Sequence, residues 1–230
     1  MKLLQCMFFL LLLLFIFSCE NEPPYIRNPV YNIVVYQSGA GAGPSTMVFL
    51  SVHFILFDEN GFEDISDISL IHVDTDIVWK LKRNDLEETL YGDNNYHGFS
   101  FFEYDNGNSV LLGDYIVRVT DSSGNQSDMA LLVDLEGHSE NIYKSSIPEY
   151  EINLKENRKE IEFNKFEYSS LELKVLNQPE LFNNSRKKFT FGEKLILSDK
   201  ELVAGSLVSL RVNSAVDERL IYFLKNYTIR

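Results

Sequence analysis

The fold of this chain is decided by residues 113–125, which read GDYIVRVTDSSGN. One face of the run from Tyr115 to Thr120 carries only Tyr and Val, as expected for a half-buried strand. Asp121 to Asn125 then supplies Asp, Ser, Gly and Asn, the residues that favour tight turns. Because a second apolar run, Met129–Leu135, follows at once, the segment predicts a β-hairpin.

Short runs rich in Val, Ile, Phe and Tyr recur on both sides of this hairpin, and no long stretch holds a helical period. The pattern therefore predicts an all-β chain. In the first half the predicted strands are Tyr31–Tyr36, Met47–Phe57, Ser69–Val73, Ile77–Leu81, Phe99–Tyr104, Tyr115–Thr120 and Met129–Leu135. In the second half they are Tyr150–Leu154, Glu160–Phe166, Leu171–Leu176, Lys188–Phe191, Lys194–Leu197, Ser206–Val212 and Leu220–Leu224.

Residues 113–125 resemble the last hairpin of bacterial immunoglobulin-like and fibronectin type III-like domains, in which a small-x-Tyr entry leads into a Val-x-Val-Thr-Asp strand and a Gly-Asn turn. The resemblance implies an antiparallel β-sandwich, with Tyr115 as the corner tyrosine that bonds to the backbone and Trp79 as a core residue. The two inter-sheet cysteines of antibody domains are absent, so the resemblance extends to the general sandwich only.

A polar stretch at residues 136–147 predicts a linker between two domains. Residues 202–212 also echo residues 111–119 with one insertion, which indicates a weak internal repeat. We therefore expect two tandem immunoglobulin-like sandwiches, an acidic one at 29–135 and a smaller one at 148–230, in preference to one larger barrel.

The N-terminus carries Met1-Lys2, an apolar run from Leu3 to Phe17, and then Ser18-Cys19. Together with Ile16, three residues before the cysteine, this resembles the signal peptide and lipobox of bacterial lipoproteins. The resemblance implies removal of residues 1–18 and attachment of fatty acyl chains such as palmitate to Cys19. Residues 19–28 would form a tether. A transmembrane helix is the alternative, but a run of this length covers only about 22 Å of a ~30 Å hydrocarbon core.

A lipidated Cys19 implies an extracytoplasmic protein of the cell envelope, held in the membrane by its lipid, and we expect the outer membrane in preference to the inner one. The other cysteine, Cys6, lies in the segment to be removed. The mature fold is therefore expected to be stabilised by packing without a disulfide bond.

The net charge of −13 is concentrated in one half of the chain. Residues 20–135 contain 19 acidic and 5 basic residues, a net −14, whereas residues 136–230 contain 15 of each. Such a field repels nucleic acid and favours a basic partner or cations. A solvated acidic face that maintains solubility is the alternative interpretation.

Seven carboxylates lie between Asp58 and Asp76 without a Lys or Arg among them. Calcium binds oxygen ligands of this kind, so Ca²⁺ is the one cofactor candidate. The spacing of an EF-hand is absent, however, and Asp and Asn are also ordinary turn residues. The candidate cation ligands are Asp58, Asn60, Glu63, Asp64, Asp121 and Asn125.

The sequence contains no motif of a catalytic nucleophile or of a zinc site, and its four histidines are scattered. We therefore predict no catalytic residues. Residues 94–104 place aromatic side chains on both faces of one strand. Phe99 and Phe101 would fill the core, while Tyr96, Phe102 and Tyr104 are the candidate contact surface, unless a neighbouring loop covers them.

These features favour a non-catalytic binding or adhesion module whose ligand is a protein or a glycan. One alternative is a subunit of a periplasmic or outer-membrane complex that docks through the apolar segment Leu220–Leu224. A carboxylate-based surface hydrolase is the third hypothesis, because paired carboxylates arise easily in an acidic chain.

Overall fold

The structure of the protein is a computed structural model. The structure describes residues 22–38, 45–91, 93–135, 150–155, 158–163, 168–175, 182–185, 194–198, 207–214, 219–224 and 227–228. The predicted signal peptide, Cys19 and the predicted linker at 136–147 therefore lie outside the described residues.

The described residues form sixteen β-strands. The first eight are β1 (Tyr25–Ser38), β2 (Ser45–Phe57), β3 (Ile65–His72), β4 (Ile77–Leu81), β5 (Glu87–Tyr91), β6 (Asn94–Phe102), β7 (Gly113–Asp121) and β8 (Gln126–Val133). The other eight are β9 (Tyr150–Lys155), β10 (Arg158–Phe163), β11 (Tyr168–Val175), β12 (Phe182–Ser185), β13 (Lys194–Ser198), β14 (Leu207–Ser214), β15 (Leu220–Phe223) and β16 (Tyr227–Thr228). Single 3₁₀ turns occupy Phe62–Asp64, Arg83–Asp85 and Asp105–Gly107.

The strands form three sheets. The largest has the order β12-β11-β14-β15-β1-β2-β6-β5, with β16 paired to β14. A four-stranded sheet has the order β4-β3-β7-β8, and a three-stranded sheet has the order β13-β10-β9. The chain is thus an all-β sandwich, as the sequence predicts. No helix among the described residues is long and apolar enough to cross a membrane.

The chain divides into two compact units, each built from segments that are separate in sequence. Unit 1 contains the described residues of Met1–Pro29, Phe54–His97 and Tyr115–Leu131. Unit 2 contains the described residues of Val30–His53, Gly98–Asp114 and Leu132–Arg230.

These units do not coincide with the predicted sequential domains at 29–135 and 148–230. Unit 2 combines distant segments because β15 pairs with β1. The two strands are parallel, with Ile33 opposite Leu220 and Tyr36 opposite Phe223. A strand near the C-terminus therefore lies beside one near the N-terminus.

The core of unit 1 is made of alternating apolar residues from the strands of two sheets. On β3 and β7, Ile68, Leu70, Val117 and Val119 are each at most 2 % exposed. These strands pair antiparallel, with Leu70 opposite Val117, so one face of the sheet is dry and the other meets water. Such alternation is what sets the register of a strand.

The core of unit 2 includes residues that are buried on both faces of a strand. On β1, the successive residues Ile33, Val34 and Val35 are at most 4 % exposed. A strand covered on both sides carries a continuous apolar run, as in buried parallel pairs. In the segment Leu220–Leu224, which lies between β14 and β1, every residue except the half-buried Phe223 is likewise buried.

Most predicted strands are confirmed, and Ile77–Leu81 matches β4 at both ends. The pairing of β7 with β8 confirms the hairpin. β5, β12 and β16 were not predicted. The predicted strand Lys188–Phe191 lies outside the described residues.

Candidate cation site

The candidate cation ligands lie on two turns, and the first is the tight turn that follows β2. The Asn60 amide donates to Asp58 Oδ1 at 2.8 Å, and the Gly61 amide donates to the Asp58 carbonyl at 3.0 Å. Gly61 has φ of 96°, a conformation that side chains disfavour. The Asp64 amide then donates to the Gly61 carbonyl at 3.0 Å and closes the 3₁₀ turn.

An aromatic contact secures this turn within unit 1. The Phe62 ring stacks on the imidazole of His97, with ring centroids 4.6 Å apart. His97 is buried, and this burial lowers the pKa of its imidazole against a smaller opposing effect of Glu88. The imidazole therefore packs against Phe62 inside unit 1.

The second half of the site is the hairpin turn between β7 and β8. Asn125 donates to Asp121 twice, from its amide to Oδ1 at 2.7 Å and from Nδ2 to Oδ2 at 2.8 Å. Burial raises the pKa of the Asp121 carboxyl, but hydrogen bonds from Asn125, Ser123 and Gly124 together hold it below its usual value. Asp121 is thus held as a buried anion.

Hydrogen bonds also join the two turns. The Ser122 amide donates to the Asp64 carbonyl at 2.8 Å, and the Ser122 hydroxyl donates to Asp64 Oδ1. On the other side, the Ser66 hydroxyl donates to the Asp121 carbonyl at 2.8 Å. The two turns are therefore fixed relative to each other.

The joined turns bring Asp58, Asp64 and Asp121 into one cluster. One carboxylate oxygen from each residue lies within 4.8 Å of the other two. Asp121 is 1 % exposed and Asp58 is 7 % exposed, while Asp64 is half-buried. We call this group the Asp cluster.

One oxygen of the Asp cluster is buried without a hydrogen bond. Asp58 Oδ1 accepts the Asn60 amide, but Asp58 Oδ2 accepts no hydrogen bond from any described residue. Within the described part of the chain, no Lys or Arg pairs with the three carboxylates. Their negative charge is therefore uncompensated by these residues.

The structure gathers three of the six predicted cation ligands into the cluster, and Asn60 and Asn125 bond to them. Glu63 is the exception, because its side chain is 85 % exposed and pairs with Arg83 at 2.6 Å. A 3₁₀ helix turns by about 120° per residue, so neighbours such as Glu63 and Asp64 point to different sides. Glu63 therefore lies outside the cluster.

The structure differs from the predicted faces of β6, and Phe99, which was expected in the core, is half-buried. Phe102 and Tyr96, the candidate contact residues, are 6 % and 9 % exposed, whereas Phe101 is 41 % exposed. Tyr104 is half-buried and forms an isolated bridge with Ser109. Because β6 carries aromatic residues on both faces, the sequence did not indicate which face is turned inward.

Phe101 belongs to a row of aromatic rings in unit 2 that sequence reasoning missed. The Tyr36 ring stacks on Phe223 at 4.6 Å and contacts Phe49 at 5.8 Å. Phe49 in turn contacts Phe101 at 5.6 Å. These residues come from four neighbouring strands, β15, β1, β2 and β6, whose order in the sheet cannot be read from the sequence.

The two predicted structural aromatics lie together in unit 1. Tyr115 is 1 % exposed, and burial raises the pKa of its hydroxyl. Trp79 is half-buried and stacks on Tyr115 with centroids 6.2 Å apart. The role of Tyr115 as a corner tyrosine stays a prediction.

A second polar group, which the sequence did not indicate, lies in unit 2. Arg219 Nη1 pairs with Asp134 Oδ1 at 2.7 Å and also donates to the Tyr31 hydroxyl. The Arg219 guanidinium lies 5.0 Å from the centroid of the Tyr31 ring. Burial raises the pKa of Tyr31 to about 12. We call these three residues the Arg219 network.

No model of a protein family matches the chain, and no curated protein matches it. Among solved structures, one described as biofilm associated protein, BSP domain, covers 89 % of this chain at 11 % identity and a TM-score of 0.28. The dimeric latent PorU from Porphyromonas gingivalis covers 92 % at 16 % identity and a TM-score of 0.32. The chain spans 29 % and 21 % of the length of those two chains. The function is therefore argued from this chain's own residues.

Proposed function

We propose that this protein is a lipid-anchored, non-catalytic binding module of the cell envelope, attached to the outer membrane through Cys19. The observation that carries the proposal is the sequence Ile16-Phe17-Ser18-Cys19 at the end of an apolar run. An anchor of several acyl chains holds a protein stably, because each buried methylene contributes about 0.8 kcal/mol.

A binding role is supported by the way the all-β scaffold fixes its turns. Loops held on a rigid sheet commonly carry recognition, and the turns around Asp58 and Asp121 are joined by direct hydrogen bonds. The acidic half also presents exposed carboxylates, including Asp67 and Asp74. Such a surface favours a basic patch on a protein or glycan ligand.

The structure argues against one form of the alternative function as a docking subunit. The segment Leu220–Leu224 was expected to bind a partner, but Leu220, Tyr222 and Leu224 are at most 3 % exposed. Because β15 is paired on both sides, this segment is part of the core. A subunit role would need another surface.

The anchor is tested by metabolic labelling of expressing cells with a palmitate analogue. The wild-type protein and the Cys6→Ser variant are expected to incorporate label, while Cys19→Ser is not. Cys6→Ser is the matched control because it removes the other cysteine of the same segment. Equal labelling of Cys19→Ser and wild type would refute the anchor.

The binding role is tested by protease treatment of intact cells beside a periplasmic control protein. Loss of this protein with the control intact supports a surface module with an external ligand. Protection of both proteins contradicts the surface assignment and favours the alternative, a subunit of an envelope complex, whose partners crosslinking would recover.

A further inference from the structure

We infer that the Asp cluster of unit 1 binds one Ca²⁺ ion and that this ion connects the turn after β2 to the turn between β7 and β8. The inference rests on Asp58, Asp64 and Asp121 alone. It is therefore independent of whether Cys19 carries a lipid.

The charge of the cluster is the first step. Three carboxylates converge within 4.8 Å, and two of them are almost fully buried. An isolated buried carboxylate is expensive unless it is paired, strongly hydrogen-bonded or bound to a metal. Asn125 hydrogen-bonds to Asp121, but these bonds leave the mutual repulsion of the three groups in place. A bound cation removes it.

The buried oxygen of Asp58 is an independent indication. Its carboxylate belongs to the cluster, and Oδ2 is buried without a hydrogen-bond donor among the described residues. Native structures satisfy nearly all buried polar atoms, so an orphaned oxygen indicates a missing ion or water. Here the neighbouring carboxylates make a cation the better match.

The spacing of the oxygens fits calcium. Calcium–oxygen distances of about 2.3–2.6 Å allow two ligand oxygens to lie up to about 4.6–5.2 Å apart. All three cluster oxygens lie within 4.8 Å of one another, so a point between them lies within about 2.8 Å of each, close to the calcium–oxygen distance. The remaining positions of the about six to eight that calcium requires are available to water and to second carboxylate oxygens.

The ligand set also selects against other metals. The cluster contains carboxylates without His or Cys, a set that suits hard cations and not Zn²⁺ or Cu²⁺. Mg²⁺ demands near-ideal octahedral geometry at about 2.0–2.1 Å and gives up its water reluctantly. Calcium tolerates an irregular site of this kind.

The test measures Ca²⁺ binding and thermal unfolding with the full chain, purified in detergent and stripped with a chelator. Equilibrium dialysis is expected to find one Ca²⁺ per chain, and added Ca²⁺ is expected to raise the melting temperature. Equimolar Mg²⁺ should raise it less, and NaCl of matched ionic strength should not reproduce the effect.

Asp64→Asn is the informative variant, because Asp64 is half-buried and the new side chain keeps an oxygen for Ser122. Removing a group that only hydrogen-bonds to a metal ligand already weakens metal binding about 10–100-fold. Removing the charge of Asp64, a direct ligand, should therefore weaken Ca²⁺ binding at least about tenfold. In chelator, Asp64→Asn should melt at or above the wild-type temperature, because repulsion within the cluster is relieved. A purely structural role for Asp64 predicts the reverse.

Asp74→Asn is the matched control, since Asp74 is an exposed acidic residue of the same half outside the cluster. It should bind Ca²⁺ as the wild type does. The inference is overturned if the wild type binds no Ca²⁺ at millimolar concentration, if Mg²⁺ stabilises equally, or if Asp64→Asn responds to Ca²⁺ as Asp74→Asn does.

Discussion

The Asp cluster of unit 1 and the Arg219 network of unit 2 differ in whether a positively charged side chain pairs with their carboxylates. In unit 2, the Asp134 carboxylate has an internal cation at 2.7 Å and a tyrosine hydroxyl at 2.9 Å. In unit 1, Asp58, Asp64 and Asp121 face one another with no described Lys or Arg paired to them. The difference indicates that the carboxylate of the Arg219 network is neutralised by a side chain of the fold, whereas the Asp cluster draws its counter-charge from solution.

The largest effect is expected when the Asp cluster is given an internal cation. In chelator, Asp64→Lys should raise the free energy of unfolding by about 2–3 kcal/mol. This gain is somewhat smaller than the destabilisation of about 3–5 kcal/mol that a buried charge causes when it has no partner. The half-buried position lets the ammonium group keep contact with water. Urea denaturation with and without Ca²⁺ measures the change.

The control for this variant is Asp74→Lys, which makes the same change of charge at an exposed turn. It should alter stability by less than about 0.5 kcal/mol. If Asp64→Lys destabilises the chelated protein, or if its stability still depends on Ca²⁺, the Asp cluster does not differ from the Arg219 network in its source of counter-charge.

Removing the internal cation of unit 2 is the converse experiment. Arg219→Met should cost about 2 kcal/mol, because it removes an ion pair and a cation–π contact that are each worth about 1 kcal/mol at partly exposed sites. A double-mutant cycle with Asp134→Asn measures the coupling of the pair. Coupling near zero would show that Arg219 acts by packing alone.

Alkaline pH should weaken unit 2 through Tyr31. The raised pKa of about 12 means that the fold favours the neutral hydroxyl, so this stabilisation is full below pH 10 and is lost between pH 10 and about 12. Relative to pH 8, the wild type should lose about 1.4 kcal/mol more than Tyr31→Phe by pH 11. Parallel pH profiles for the two proteins would contradict the assignment.

The smallest effect on stability is expected for an exposed ion pair in unit 1. Arg118 and Asp128 form two hydrogen bonds, at 2.8 and 2.7 Å, and their side chains are 36 % and 40 % exposed. Arg118→Met should cost at most about 0.5 kcal/mol, since solvent screens such pairs. A cost equal to that of Arg219→Met would mean that the contact of Arg219 with the Tyr31 ring adds no stability.

The sequence predicted strands well where one face is apolar. β4 and β7 alternate clearly and were placed within two residues. β5, with the sequence EETLY, has no such pattern and was missed. The faces of β6 were not assigned correctly because both carry aromatic residues. Alternation locates a strand, but when both faces are apolar it cannot tell which one is buried.

Long-range partners could not be predicted in the same way. The pairing of β15 with β1 joins residues separated by most of the chain, and no local pattern encodes it. The Arg219 network depends on that pairing, since the Ile33 amide donates to the Arg219 carbonyl at 2.8 Å. Asp58, Asp64 and Asp121 were foreseen as candidates, because turn-forming acidic residues are visible in sequence, but their convergence is a property of the fold.

The central claim, that the Asp cluster takes its counter-charge from a bound cation, is tested by anomalous diffraction from crystals grown with Ca²⁺. We expect one calcium peak at about 2.3–2.6 Å from an oxygen of each of Asp58, Asp64 and Asp121. Ordered electron density for the three carboxylates with no calcium peak between them would contradict the claim. A lysine side chain in the position expected for the ion would contradict it as well.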